Sequence, residues 1–111
     1  MVNIITLVIP AQHPAFRGHF PGSPLLPGVV LLDEMLRAIA DSGLSAEYGW
    51  TLATAKFLQP VRPGETLTVE HEPLANGAVR FSIRSAGQQV ASGNLVPRLT
   101  ANEPHNGHQA R

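Results

Sequence analysis

A histidine, two adjacent acids and a run of proline-glycine turns stand within one short stretch, Gly18 to Glu34, which reads GHFPGSPLLPGVVLLDE. His19 lies between Gly18 and Phe20-Pro21-Gly22, so its neighbours are either held by proline or freed by glycine to take positive φ. A base on a stiffened loop beside an acid in apolar surroundings is what removing water from a 3-hydroxyacyl chain requires. Asp33 stands among Val29, Val30, Leu32 and Leu36, where desolvation would favour the protonated form that can donate a proton. Glu34 is the second candidate, and spacing does not choose between them. Each has a plainer reading. His19 can be a structural loop histidine, Asp33 can form an i,i+4 ion pair with Arg37 that favours the carboxylate instead, and Glu34 can be a solvated partner of Arg37.

A third component is Pro27-Gly28-Val29, where a helix begins. The unpaired N–H groups and positive dipole end of a helix start can face a carbonyl oxygen, and Gly28 has no side chain to obstruct it. Polarising a thioester carbonyl acidifies its α-proton, because charge developing on oxygen meets donors already in place. An ordinary helix start with Pro27 as its first residue is the plainer alternative.

The elements that must position these groups are readable from period and punctuation. Residues 2 to 9 are apolar and β-branched, and predict a strand buried on much of both faces. His13 to Pro27 contains four prolines and two glycines and must be loop. Val29 to Ala40 is nearly all apolar and predicts a helix buried on most sides, ended by Gly43. After Tyr48 the period becomes two. Strands are expected over Trp50 to Leu58, over Leu67, Val69 and His71 alternating with Thr66, Thr68 and Glu70, over Val79, Phe81 and Ile83, and over Gln89 to Pro97. Pro60 to Gly64, Asn76-Gly77 and Ala86-Gly87 supply the turns of a four-strand meander. One helix must then lie across a curved antiparallel sheet of about five strands, an α+β single domain of the hot-dog kind.

Length and composition set outer bounds. The chain has 111 residues, which allows one domain and one core, and makes burial against a second copy a reasonable expectation. Basic and acidic residues balance at 8 each, so no overall field draws in nucleic acid. Cysteine is absent, which removes disulfides, thiolate metal sites and cysteine nucleophiles. The first residues, MVNIITLVIPAQH, lack the basic and apolar runs of a leader or membrane span, and cytoplasm is the default. The domain is expected over 1–99, and the polar stretch 100–111 is expected to be a disordered tail. His105 and His108 in that stretch would have no second shell, so no metal and no cofactor is expected.

The segment Gly18 to Asp33 resembles the β-hydroxyacyl-ACP dehydratases of fatty-acid synthesis, the FabZ and FabA types, whose pattern is roughly G-H-F-P-G-x-P-x-x-P-G-V-x-x-x-[ED]. The match is gap-free. A second segment, Lys56-Phe57-Leu58-Gln59-Pro60-Val61-Arg62-Pro63-Gly64-Glu65, is similar to the strand and turn after the helix in these enzymes, and the likeness covers about 5 to 97. It implies His19 and Asp33 as the catalytic pair, since the family's acid falls fourteen positions after the histidine. It also implies a homodimer, with room for a higher oligomer, in which His19 of one subunit works with Asp33 of the other. The implied substrate is an acyl chain on acyl carrier protein or CoA. Phe20, Pro21, Gly22, Leu26, Val29, Leu32, Arg37 and Phe57 are the expected substrate contacts, and Arg17, Arg62, Arg80, Arg84 and Arg98 are candidates for meeting an acidic carrier. Arg37 departs from the family, which has glutamine there. The short lead-in is closer to small stand-alone dehydratases of aryl-polyene or polyketide-like pathways. A hot-dog thioesterase and a non-catalytic acyl-binding protein are the alternatives.

Overall fold

The computed structural model describes residues 2–14, 25–44 and 46–99. Its elements run β1 (Asn3–Val8), α1 (Gly28–Asp41), β2 (Trp50–Phe57), β3 (Thr66–Pro73), β4 (Val79–Ser85) and β5 (Gln88–Pro97). One helix and five antiparallel strands are the expected set, each within a residue or two of its expected bounds. The expected tail, 100–111, lies outside the described residues.

Two turns hold β3, β4 and β5 in succession. Leu74 N–H donates to Ala78 O at 2.7 Å around Ala75-Asn76-Gly77, with Gly77 at φ 88°. Ala86 and Gly87 both take positive φ, 52° and 83°, the combination that a two-residue hairpin turn needs. The four-strand meander needs correction, however. The spatial order is β1-β3-β4-β5-β2, so β2 pairs with β5 at the far edge and β1 takes the place beside β3. The connection 58–65 contains Pro60 and Pro63 and is long enough to cross the sheet, whereas a period of two says which face a residue takes but not which strand lies next to it.

The core lies between α1 and one face of this sheet. Leu31, Met35 and Ile39, four residues apart, are the buried stripe of the helix. They meet Leu67 and Val69 of β3, Phe81 and Ile83 of β4 and Val90, Ala91 and Leu95 of β5 in one cluster. Alternation in β3 and β4 is as the sequence predicts. Two burial expectations fail. The helix is buried along this one stripe, and Val29 is 76% exposed, because a single sheet covers a single side. β1 is an edge strand whose outward Ile4 and Val8 are exposed, because only β3 flanks it.

The ends of α1 follow from local chemistry. Pro27 caps it in extended conformation, at φ −61° and ψ 146°, so the helix begins at Gly28 rather than at the proline. At the other end Gly43 takes φ 107°. Its N–H reaches Ala40 O at 3.0 Å and Leu44 N–H reaches Ile39 O at 3.3 Å, a Schellman closure. Among the described residues no helix is long and apolar enough to cross a membrane.

Gly93 on β5 is a steric necessity. A Cβ there would run into the Thr54 carbonyl oxygen and lie 2.8 Å from the Phe81 ring, beside the register shift between Leu52 and Thr54. Gly93→Ala is expected to lower stability by about 1–3 kcal/mol through overpacking. The measurement is the urea midpoint, and an unchanged midpoint would contradict the tight approach.

His71 is the one buried polar side chain among the described residues, and its Nδ1 has no hydrogen-bond partner there. Burial pushes its pKa below the ordinary 6.5. The folded chain therefore binds this proton less tightly than the unfolded chain. As pH falls through 6.5 toward the lower folded value, protonation favours unfolding. Melting temperature should fall over that window, and His71→Leu should flatten the fall. An equal pH slope in both proteins would refute the assignment.

Candidate active site

The site is built around the first turns of α1. Leu26, buried just ahead of the helix, is tied to the β2–β3 connection by its N–H to Val61 O at 2.8 Å. This anchors the chain just ahead of the helix. The first intrahelical bonds run from Val30 and Leu31 to Pro27 O, both 3.1 Å, so the Gly28 and Val29 amides precede the helical ladder. They border an open groove of about 530 Å³ formed by Leu26, Gly28, Val29, Phe57, Leu58 and Pro60 among others. Phe57, half exposed on β2, lays its ring over Gly28, and a Cβ on Gly28 would lie 2.9 Å from it.

Next to that groove, and sharing Val29 with it, is an apolar cavity of about 240 Å³ between the helix and the β2–β5 edge. Leu32, Met35, Leu36, Trp50, Leu52 and Leu95 contribute to its walls, and Asp33 is the acid at it. In the single chain Asp33 is not desolvated as the sequence suggests. Its side chain is 60% exposed, and its Oδ2 accepts from Arg37 Nη2 at 2.9 Å, the i,i+4 pair. That hydrogen bond, and then the charge of Asp33, raise the pKa of Arg37. The apolar neighbours are present, but they line one wall only.

Glu34 points elsewhere. Its Oε2 accepts from His13 Nε2 at 3.0 Å, in place of pairing with Arg37. Successive helix residues project about 100° apart, so the two acids face opposite edges of the sheet. Asp33 faces β2 and β5, and Glu34 faces the groove beside β1. Of the predicted site residues, Gly28, Val29, Leu32, Asp33 and Phe57 come together in these two adjoining spaces, with Leu26 beneath and Arg37 beside Asp33. His19, Phe20, Pro21 and Gly22 lie outside the described residues, as does Arg17. Sequence reasoning missed His13 and Trp50. His13 sits in a loop without period, 21 residues from its partner, and nothing local signals the contact.

Among the basic residues considered for a carrier, Arg80 stands 3.6 Å from Glu72 and Arg84 stands 3.5 Å from Glu70, both cross-strand pairs on the sheet face. No three His, Asp or Glu among the described residues are grouped to hold a metal ion.

A single helix laid on a five-stranded antiparallel sheet, with an acid at an apolar cavity beside the helix start, defines the hot-dog class. The chain is similar in fold to the dehydratase heterocomplex ApeI:P from Xenorhabdus doucetiae, with a TM-score of 0.69, 29% identity, and 86% and 85% of the two chains covered. It is also similar in fold to the fluoroacetyl-CoA thioesterase FlK, at TM-score 0.61 and 18% identity over 86% and 82% of the chains. At that identity the likeness speaks for the fold alone. In sequence it is 36% identical over 99 residues to the 3-hydroxyacyl-[acyl-carrier-protein] dehydratase FabZ of Thermus thermophilus, covering 77% of this chain and 68% of that protein. The model of the ApeI-like family, described as ApeI dehydratase, matches residues 3–94, and the chain belongs to that family.

Because Phe57 is half exposed and can swing aside, Gly28→Ala should leave the melting temperature nearly unchanged while obstructing the groove at the helix start. Turnover of a hydroxyacyl thioester should then fall by about 10- to 100-fold. Full activity in this variant would remove Gly28 from the site.

Proposed function

We propose that this chain eliminates water from (3R)-hydroxyacyl thioesters, giving trans-2-enoyl thioesters, with His19 as base, Asp33 as acid and the Gly28 N–H as the carbonyl donor. The observation that carries the reading is the adjoining pair of spaces. The helix start with Gly28 opens on one, Asp33 stands at the other, and Val29 lines both. A thioester carbonyl seated at Gly28 places its acyl chain along the apolar walls toward Asp33. The gap-free motif adds His19 fourteen residues ahead of that acid.

In the proposed step, neutral His19 takes the α-proton and the electron pair forms the new double bond. The C–O bond breaks as Asp33 gives its proton to the departing hydroxyl, which leaves as water. The proton on His19 returns to Asp33 to restore the starting state. Charge developing on the carbonyl oxygen is held by Gly28 N–H and the helix dipole, which need no reorganisation. Arg37 enters here as the residue that holds Asp33 in the uncovered chain, so the acid has to leave that pair to act.

The same reading assigns the active assembly as a homodimer, with His19 of one subunit serving Asp33 of the other. The exposed Val29, the half-buried Leu32, Leu36 and Trp50, and the free edge of β2 form a continuous uncovered face around Asp33, and a second copy laid there would supply the desolvation that the single chain lacks. The substrate carrier is acyl carrier protein or CoA, and cytoplasm is the compartment where such thioesters are made. Phe20, Pro21, Gly22, Leu26, Leu32 and Phe57 complete the proposed acyl contacts.

General acid and base steps contribute about 10² to 10⁴ each. Purified His19→Ala and Asp33→Asn should keep the wild-type assembly state and lose crotonyl-thioester hydration by at least the lower figure. Near-wild-type turnover in either variant would sink the assignment. Release of free thiol without change in enoyl absorbance would point instead to the thioesterase alternative.

A further inference from the structure

The acid next to Asp33 makes a separate contact. Glu34 Oε2 lies 3.0 Å from His13 Nε2, with the two side chains only 26% and 16% exposed. It is a shielded pair, unlike the Asp33–Arg37 pair, whose members are 60% and 70% exposed. His13 is the last turn residue of the segment leaving β1. Its N–H donates to Pro10 O at 3.1 Å, and Pro14 follows it, so its backbone is constrained on both sides. Six positions later in the chain comes His19. Leu26, just ahead of the helix, is tied separately by its N–H to Val61 O. The described chain on either side of the motif thus has one anchor on the β2–β3 connection and one on α1 itself, at the residue adjacent to Asp33.

We infer that the His13–Glu34 pair is a positioning strap: it fixes the chain that leads into the base-bearing segment to the helix that bears the acid, and acts on the reaction through the base. His13 and Glu34 touch no reacting atom in this scheme. They act through His19, and the inference rests on the dehydratase reading above. The strap joins loop and helix of one chain. In a dimer with shared sites it therefore couples the base of one site to the acid of the other, and a slack strap degrades both sites together.

The length and chemistry of the contact specify the test. Glutamine places a donor near the position of the histidine Nε2, so His13→Gln can keep the contact that His13→Ala loses. With crotonyl thioester as substrate, His13→Ala and Glu34→Ala should each lower kcat by about 10- to 100-fold, the cost of misplacing a reacting group. KM should change less than about threefold, and His13→Gln should recover most of the rate. The double alanine variant should be no slower than the slower single, since each single already breaks the His13–Glu34 contact. Unaltered kcat in the single variants, or losses that multiply in the double, would overturn the inference. Hydrogen exchange provides a readout independent of turnover. Amides of residues 9–14 should exchange faster in Glu34→Ala, while those of β4 and β5 keep their wild-type rates. Loss of protection throughout the molecule would mean a general stability role and would also overturn it. If the wild-type chain fails to hydrate the substrate, the dehydratase reading falls, and the exchange result alone decides whether the strap exists.

Discussion

The stripe Leu31, Met35 and Ile39 seats α1 on the sheet, and most other features of the site follow from that one act of packing. Once these three face inward, the direction of every other helix residue is set by the turn angle. Val29, Leu32 and Leu36 must look toward β2 and β5, with Asp33 beside them. Glu34 must look toward β1. The core thus stabilises the fold and also aims the chemistry, because the helix that fills the groove of the sheet is the helix that carries the acid. A change that rotated the stripe by one residue would bring Glu34 to the direction that Asp33 now takes.

That packing also explains why the first turn of α1 is so spare in side chains. Pro27 caps the helix in extended conformation, Gly28 stands beside a groove, and the ring of Phe57 takes the space a side chain would have filled. The ring and the Gly28 amide beside it come from positions 29 apart in the chain, brought together because β2 crosses to the far edge and β1 takes the place beside β3. The strand order is therefore part of the site. Were β2 placed beside β3, as a simple meander would have it, the cavity formed with Leu95 of β5 would not exist.

Polar groups in this molecule divide by how much water they keep. The cross-strand pairs Arg80–Glu72 and Arg84–Glu70 lie on the sheet face at loose distances, where they add solubility more than stability. Asp33 and Arg37 are close but open to solvent. His13 and Glu34 are both close and shielded, the combination in which a charge-assisted hydrogen bond fixes geometry best. His71 is buried with its Nδ1 unpartnered among the described residues, and that burial lowers its pKa.

The sequence by itself determined the elements and the motif. Period two placed Leu67, Val69, Phe81 and Ile83 inward, proline and glycine marked the turns, and the gap-free run Gly18 to Asp33 carried the resemblance to the family. These are local properties, set by backbone geometry within a few residues. Strand order, the one-sided burial of α1, the ring over Gly28 and the pairing of Glu34 with His13 were decided only in three dimensions. Each depends on which surfaces meet, and periodicity records the face a residue takes without recording what lies opposite. The exposure of Asp33 shows the difference most plainly. Its apolar neighbours are written along the helix, but whether they surround the acid depends on a surface that the helix does not itself supply.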